Sequence, residues 1–470
     1  MSVKTVDLLV IGAGPAGIAA ATEAANAGLS VTVMDEQPRP GGQIYRAVET
    51  TSAKMDKILG KDFVEGRPLV ESLRASNAEL MPETLVWNIG SDLSIDYSTA
   101  GVAHRMKARR IVAATGALER PMPLPGWTLP GVTTAGALQI LMKTSSVVKE
   151  DCVLMGAGPL IWLVAVQMID AGCPPKAIVE NLPKGRTLAA LPHLPKALRA
   201  SEYLFKGLKL IRRVKQAGVP IHTNASALAI EGEGSVKAVT FKSGGQSQRI
   251  EATSVALHQG VVPNQQITRL IRADHRWDAS QKCFIPVLDD TCQTSVQGIY
   301  IAGDGASING AKCAALQGRM VALNIAASLG RSVDTGRIQS LKAAIARETS
   351  VRPMLETLYA PAPEILDPAD GTVVCRCEEV TAGAIRATVD LGAPGPNQVK
   401  SMLRSGMGPC QGRTCGLAVA QIIAARKGET PDVTGYYRIR PPLKPIPLME
   451  LASYDPARDE EPAEGGIAAQ

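Results

Sequence analysis

Four cysteines near one end of the 470-residue chain are spaced Cys375-x-Cys377 and Cys410-x4-Cys415, with 32 residues between the pairs. Two close pairs let each loop supply two thiolates, and four thiolates are what a [2Fe–2S] cluster takes. Gly406, Gly408 and Gly412 allow the second loop to fold around inorganic sulfide. An apolar helix expected over 416–426 begins at Cys415, so its positive end would favour thiolates and an anionic cluster. Zinc also takes four cysteines, usually through CxxC knuckles, and four structural thiols would need no metal. The other five cysteines (Cys152, Cys173, Cys283, Cys292, Cys313) are scattered. That distribution argues against a disulfide framework and for a metal site in a reducing compartment.

The second chemical signature lies in residues 6–43. An apolar run, Leu8 to Ile11, reads as a buried parallel strand and leads into Gly12-Ala13-Gly14-Pro15-Ala16-Gly17. A helix is expected from Pro15 to about residue 26, then Gly28 stops it and Ser30 to Met34 forms a second strand ending at Asp35 and Glu36. This is the βαβ unit that holds a dinucleotide. Gly12 permits the tight turn, Gly14 lets backbone approach the pyrophosphate, and Gly17 lets helix and strand pack closely. The helix N-terminus offers free N–H groups to phosphate, and Asp35 stands where a carboxylate accepts from a ribose hydroxyl.

A related pattern begins at Cys152, where Gly156 and Gly158 are kept but Ile161 stands at the third glycine position. Its side chain is expected to hold helix and strand apart and constrict the pyrophosphate approach. Glu180 still ends the following strand, yet a structural remnant is the expectation here, ahead of an NAD(P) site. Cys152 to Ile169 is 18 residues without a charge, the lower limit for a membrane span. The two glycines and Pro159 inside it favour a strand followed by a buried helix.

The elements that must position these groups follow from length and composition. A chain of 470 residues implies two or three domains, and 45% hydrophobic with 20% charged residues is globular. The net charge of +6 without basic–aromatic interleaving argues against nucleic-acid binding. The short first apolar run is no secretory leader, and a cytoplasmic protein that is not integral to a membrane is expected. Residues 196–215 carry seven Lys and Arg in a helical pattern; a solvated helix face is the plainer reading, a docking surface the other. The five histidines (His104, His193, His222, His258, His275) are scattered and none pairs with a motif, so structural or exposed roles are expected.

Ala114-Thr115-Gly116 and Gly303-Asp304, taken with GAGPAG, resemble the two-dinucleotide-binding flavoprotein oxidoreductases over residues 1 to about 330. The resemblance implies FAD in the first site, with Asp35 on the adenosine ribose. Gly42, Gln43, Thr115 and Gly116 would line the pyrophosphate and flavin, and Asp304 would accept from hydroxyls near the ribityl chain. No cysteine precedes Asp151, so a disulfide reductase is excluded. Cys313 reads as a small buried residue.

The segment 374–416 resembles the bacterioferritin-associated-ferredoxin-like (BFD-like) [2Fe–2S] domain. The whole layout is similar to the alpha (A) subunit family of bacterial opine (octopine and nopaline) oxidases and dehydrogenases, with relatives among hydroxyproline and proline dehydrogenases and hydrogen cyanide synthase. In that family a β-type, amino-acid-oxidase-like FAD subunit oxidises the amine, and an FMN often lies between the subunits. The resemblance implies an external electron acceptor and leaves open a small third subunit.

The expected fold is α/β, with two Rossmann-like domains, the second inserted in the first, and a small α-rich [2Fe–2S] domain. The FAD domain takes 1–135 and 285–335, the second domain 136–284, and a connector with a proline-rich linker 336–370. The cluster domain takes 371–437, and a proline-rich tail, 438–470, runs extended over a partner or its own surface. A stand-alone NAD(P)H-dependent ferredoxin-type reductase is the rival function. No catalytic acid–base group stands out.

Overall fold

The computed structural model describes residues 4–455. The first sheet is built around β1 (Thr5–Ile11), whose apolar run is flanked in parallel by β2 (Val31–Met34) and the C-terminal half of β6 (Val102–Ala113). Outside β2 lies β3 (Glu79–Met81). β4 (Thr84–Ile89) and β5 (Ser94–Thr99) form an antiparallel meander on the N-terminal half of β6. Helix α1 (Pro15–Asn26) covers one face with an alanine-rich surface.

The chain then leaves through the proline-rich crossover. β7 (Ala117–Glu119) and β8 (Val132–Thr134) already belong to the second region, with β8 in parallel register beside β15 (Ser254–His258). The boundary expected at residue 135 therefore falls earlier, inside the crossover. Helix α2 (Ala135–Ser145) follows, capped by the Thr134 hydroxyl, which accepts from Ala137 N–H. β9 (Cys152–Gly156), α3 (Pro159–Asp170) and β10 (Ala177–Glu180) make the second βαβ unit. The 18-residue uncharged run is thus a strand and a 12-residue helix. No helix among the described residues is long and apolar enough to cross a membrane.

Short helices and α4 (Ser201–Gln216) lead to β11 (Ile221–His222), which extends the five-stranded parallel sheet at β10. An antiparallel meander, β12 (Ser226–Glu233), β13 (Ser235–Ser243) and β14 (Gln246–Glu251), precedes β15. β16 (Val261–Pro263) pairs with β7, and the hairpin β17 (His275–Asp278) with β18 (Cys283–Pro286) follows. Residues after Val261 do not join the second sheet's core. Ile267 and Leu270 pack with the first domain, and Val262, Phe284 and Ile285 pack against Leu417 and Ala420 of the cysteine domain. The expected end of the second domain at 284 thus moves back by about one hairpin and one helix.

β19 (Ile299–Ile301) returns to the first sheet beside β6, as expected, and α5 (Ala311–Ser328) lies on α1. A Cβ at Gly318 would sit 2.1 Å from the Ala16 carbonyl oxygen, so the two helices meet backbone to backbone. α6 (Thr335–Glu348) forms the connector. The 360–370 linker is anchored: Ala362 and Ile365 are buried against Trp127 and Leu228, and Glu364 accepts from Ala227 N–H at 3.0 Å.

The small domain comprises the hairpin β20 (Val373–Cys375) and β21 (Val380–Thr381) with α7 (Ala382–Asp390), α8 (Pro396–Leu403) and α9 (Gly416–Lys427). It shares one core with the first sheet, where Ile385, Val399, Val419 and Ile422 pack with Leu9, Ile111 and Ile299. The proline-rich tail runs over its own chain. Ile439 and Leu443 are buried in that core, Leu443 N–H donates to Trp87 O at 2.9 Å, and Lys444 pairs with Glu36. A short helix, Leu448–Ala452, forms after the last proline of the run, where proline no longer removes the helical donors. The rest of the expected tail, 456–470, lies outside the described residues, as do residues 1–3.

Candidate functional site

The first glycine turn is built as its sequence demands. Gly12 has φ +102°, and a Cβ there would meet the Ala114 carbonyl oxygen at 2.6 Å. A Cβ at Gly17 would lie 1.8 Å from Gly12 O, so only glycine lets the helix start this close to the strand. Pro15 opens α1, where its missing N–H costs no hydrogen bond, and Ala16 packs under Gly303, whose Cβ would come within 2.8 Å of it. Gly42 folds back until a Cβ on it would be 2.8 Å from Gly14 Cα. Gly305 follows Asp304 and lies beside Gly116. Three motifs separated by up to about 290 residues thus meet at the C-terminal ends of β1, β6 and β19. Gly116 faces open space, with nothing within 4 Å of a Cβ there, and a Cβ at Gly14 would meet only Gly42 Cα, at 3.8 Å. Bare backbone around an open groove at a helix N-terminus fits a dinucleotide pyrophosphate.

Asp35 does more here than await a ribose. Its Oδ2 accepts from Ala13 N–H at 2.6 Å and its Oδ1 from Gln37 N–H at 2.7 Å, which ties the acid to the glycine turn. Burial raises its carboxyl above the usual range, against those two donors. Glu36 is turned to Lys444 of the tail. Asp304 uses Oδ1 to accept from Asn309 and Gly310 N–H, both at 2.9 Å, so it shapes the loop before α5. Thr115 lies next to Gly12, and Gly116 O accepts from Asn264 N–H at 3.0 Å.

Lys143, which sequence reasoning missed, reaches from α2 into this loop. Its Nζ donates to Gln43 O at 3.0 Å, Ile44 O at 2.8 Å and Gln139 Oε1 at 2.8 Å. Burial, with Arg46 nearby, pushes its pKa down to about 7. An isolated lysine in an amphipathic helix gives no sequence signal for such a contact.

The second turn is built differently. Gly158 takes φ +138°, where Gly14 has φ −80°. Ile161 is 2% exposed, seated among Leu154 and Val164. Ala157 N–H donates to His258 O at 2.8 Å, not to an acid on the neighbouring strand. The His258 ring lies over the turn, 2.9 Å from where a Cβ on Gly158 would stand. Its Nδ1 is 2.7 Å from Glu119 Oε1, and Glu119 Oε2 accepts from Gly136 N–H at 2.9 Å. This corrects the expectation that no histidine pairs with a motif. The partners are 139 residues apart in sequence, so only the fold reveals them. Glu180 has no hydrogen-bond partner for its side chain among the described residues, and burial raises its pKa to about 7. Tyr359, from the end of the connector, stands near Glu180 and within reach of the Trp162 indole. His258 thus lies against the second turn and Tyr359 near its acid.

The four C-terminal thiols surround a space. Cys375, Cys377, Cys410 and Cys415, with Arg376 and Thr414, line a cavity of about 320 Å³. Among the described residues no three donors are placed to share a single ion, whereas a two-iron cluster needs its ligands spread around a volume. Cys410 is lowered to about 4 by the Cys415 thiol and by the N–H groups of Thr414 and Gly412. Cys375 is lowered to about 6 by Cys415 and by N–H groups of Gly406, Glu378 and Cys377. Donors converging on these two sulfurs favour thiolates, the form that binds iron, while burial raises Cys377 and the neighbouring Cys375 and Cys410 raise Cys415. Gly408 is obligatory, since its Cβ would meet Cys377 Cβ at 2.2 Å. The site fits the four-cysteine [2Fe–2S] group.

Behind the cluster cavity the Tyr437 oxygen lies 4.0 Å from Cys415 Sγ and donates to Ser405 Oγ at 3.0 Å. Tyr437 meets Tyr436 edge-on, and Arg269 is held between the Tyr436 and Phe284 rings, 4.8 and 4.7 Å from their centroids. Arg269 has no carboxylate partner among the described residues, and burial lowers its pKa to about 10. The five other cysteines are free, and burial raises Cys313 to about 12, in keeping with an inert packing role.

Comparison with known proteins follows the same division. Residues 6–330 match the family model described as pyridine nucleotide-disulphide oxidoreductase, and residues 373–425 match that of the BFD-like [2Fe-2S] binding domain. The chain is 44% identical to the A-type chain of opine oxidase from Rhizobium meliloti, over 95% of this chain and 98% of that one. It is 31% identical to hydrogen cyanide synthase subunit HcnB of Pseudomonas aeruginosa, over 94% and 97% of the two chains. Among solved structures it is similar to L-proline dehydrogenase from P. horikoshii, with a TM-score of 0.69 and 19% identity over 95% of this chain and 80% of that one.

Proposed function

Because the chain belongs to the opine oxidase A-subunit family, within the pyridine nucleotide-disulphide oxidoreductases, we propose that it is the electron-carrying subunit of an opine-oxidising complex. It is an oxidoreductase subunit with FAD in the first domain and a [2Fe–2S] cluster in the last. The oxidised compound is an opine or a related secondary amino acid. The C–N bond loses two electrons and two protons in a β-type FAD subunit, and the resulting imine takes up water and splits into an amino acid and a 2-oxo acid. An external acceptor takes the electrons.

The observation that carries this reading is the second crevice. A reductase fed by NAD(P)H needs an open nicotinamide site. Here Gly158 is turned to φ +138°, the His258 ring lies over the turn, and Tyr359 stands by the acid that would hold the ribose. Electrons then enter through a partner.

When bound, the two groups supply electron storage, two electrons at the flavin and one at the cluster. The chain's residues would hold and insulate them. Gly12, Gly14, Pro15, Ala16 and Gly17 would present backbone to the FAD pyrophosphate, with Gly42 and Gln43 opposite and Thr115, Gly116, Gly303 and Asp304 along the flavin side. Asp35 would keep the turn in shape and accept from the ribose, with Glu36 beside it. Lys143 would fix the Gln43–Ile44 peptide over the groove. Cys375, Cys377, Cys410 and Cys415 would ligate the cluster.

The test is the purified complex, mixed anaerobically with octopine, nopaline and proline derivatives while flavin absorbance is followed. Bleaching by a secondary amine supports the reading; a complex replete in flavin and iron that no amine reduces removes it. Cys410→Ser should abolish iron and the cluster's visible bands while FAD stays bound, and loss of zinc in place of iron would refute the cluster assignment.

A further inference from the structure

Helix α4 buries only one of its sixteen residues, Val214. On it and the short helices before it, five large apolar side chains stand in solvent: Leu188 (72% exposed), Leu191 (48%), Leu198 (56%), Phe205 (69%) and Leu208 (63%). Single exposed leucines are ordinary; five within residues 188–208, two of them on α4 itself, mark an interaction face. The same segment is strongly cationic. Residues 184–215 carry nine Lys and Arg against one acid, Glu202, a surplus of eight in a chain that nets only +6. Lys206 and Arg213 turn back to Asp62 and Asp170. Lys196, Lys209, Arg212 and Lys215 have no ion-pair partner among the described residues.

We propose that this face is where the partner subunit docks, through an apolar groove with an acidic rim. The proposal rests on the reading of this chain as one subunit of a hetero-oligomer. The order of residues on α4 says what the groove is like. Phe205, Leu208, Arg212 and Lys215 share one stripe of the helix, apolar at its beginning and basic at its end. A protein groove matches such a gradient along the helix axis. A bilayer surface sorts residues by depth and favours cations on both flanks of an apolar stripe. A second copy of this chain would bring another surplus of positive charge against the first, so self-association here is opposed.

The experiment uses the full chain, co-expressed with its flavin-bearing partner subunit, in wild-type form and as two surface variants: Phe205→Asp/Leu208→Asp and Lys209→Glu/Arg212→Glu. Complex mass is read by light scattering, and affinity is measured at low and high salt. The wild-type complex should weaken with salt, and each variant should bind the partner at least about tenfold more weakly. Flavin and iron contents should be unchanged. The proposal is overturned if either variant binds the partner within about twofold of wild type. It is equally overturned if the variants lose only self-association, or only binding to phosphatidylglycerol vesicles. A wild-type chain that forms no complex defeats the subunit reading itself, a result distinct from an intact complex in the variants.

Discussion

The chain contains the sequence Gly-Ala-Gly-Pro twice, and the two copies fold into different turns. In the first, Gly17 lets α1 begin against the Gly12 carbonyl, Gly14 stays at φ −80°, and the acid from the second strand, Asp35, accepts from Ala13 N–H. In the second, Ile161 cannot take that place. The helix still begins at the proline after the second glycine, but Gly158 takes φ +138°, and the Ala157 N–H, counterpart of the one Asp35 receives, goes to the His258 carbonyl. Glu180 is left without a partner among the described residues, and the connector's Tyr359 comes to stand beside it. The two turns thus differ in the conformation of the second glycine, in the acceptor of the following N–H and in what the acid touches.

The comparison is broken most severely by Gly17→Ala. One methyl group would lie 1.8 Å from a backbone oxygen that has nowhere to move, because Gly12 is itself wedged against Ala114. The expected outcome is loss of FAD, read from absorbance of the purified protein, with most of the chain insoluble. Soluble, yellow Gly17→Ala protein would show that the two turns differ less than their geometry implies.

The opposite change should be milder. Ile161→Ala opens a cavity in a buried cluster and should cost about 2–5 kcal/mol in denaturant unfolding. It should leave flavin and iron in place, because the residues that would hold them lie on other elements. It should not confer flavin bleaching by NADH or NADPH, since His258 still lies over the turn and Tyr359 near Glu180. Rapid bleaching in this variant, or in the wild type, would instead favour a reductase.

These contrasts were only partly legible in the residues. The first turn could be read because every group it needs lies within a short stretch, residues 6–43, and glycine spacing reports backbone clearance directly. The cysteine ligands were legible for the same local reason. Ile161 marks the departure in the second turn, but the residues around that turn come from elsewhere: Glu119 and His258 meet across 139 residues, and Tyr359 reaches Glu180 from the connector. Lys143 and Arg269 escaped notice because a buried cation announces itself only through the acceptors or rings around it. The domain edges near 135 and 284 shifted because β8 and the β17–β18 hairpin are too short to show which sheet or core they serve.

The smallest effect expected is also the most specific to the second turn. Glu180 has a folded pKa raised from the ordinary 4.5 to about 7, by burial without a hydrogen-bond donor. Below its unfolded pKa the carboxyl is neutral in both states and costs nothing. As pH rises through the folded value, the unfolded chain ionises freely while the folded chain must bury a charge, so stability falls. Glu180→Gln should therefore unfold like the wild type near pH 4.5 and be more stable by about 2–3 kcal/mol at pH 8. Burial raises the Asp35 carboxyl too, so its pH dependence has the same sign, but Asp35→Asn should change stability at neutral pH in the opposite direction. Asp35 is also buried, but its carboxylate receives two backbone N–H groups, and the amide can accept from only one of them. The variant should lose stability and FAD affinity at neutral pH. Thermal unfolding of both variants at pH 7–8 would decide whether the acid in the second turn has lost the work its counterpart performs, and a loss of stability in both would refute it.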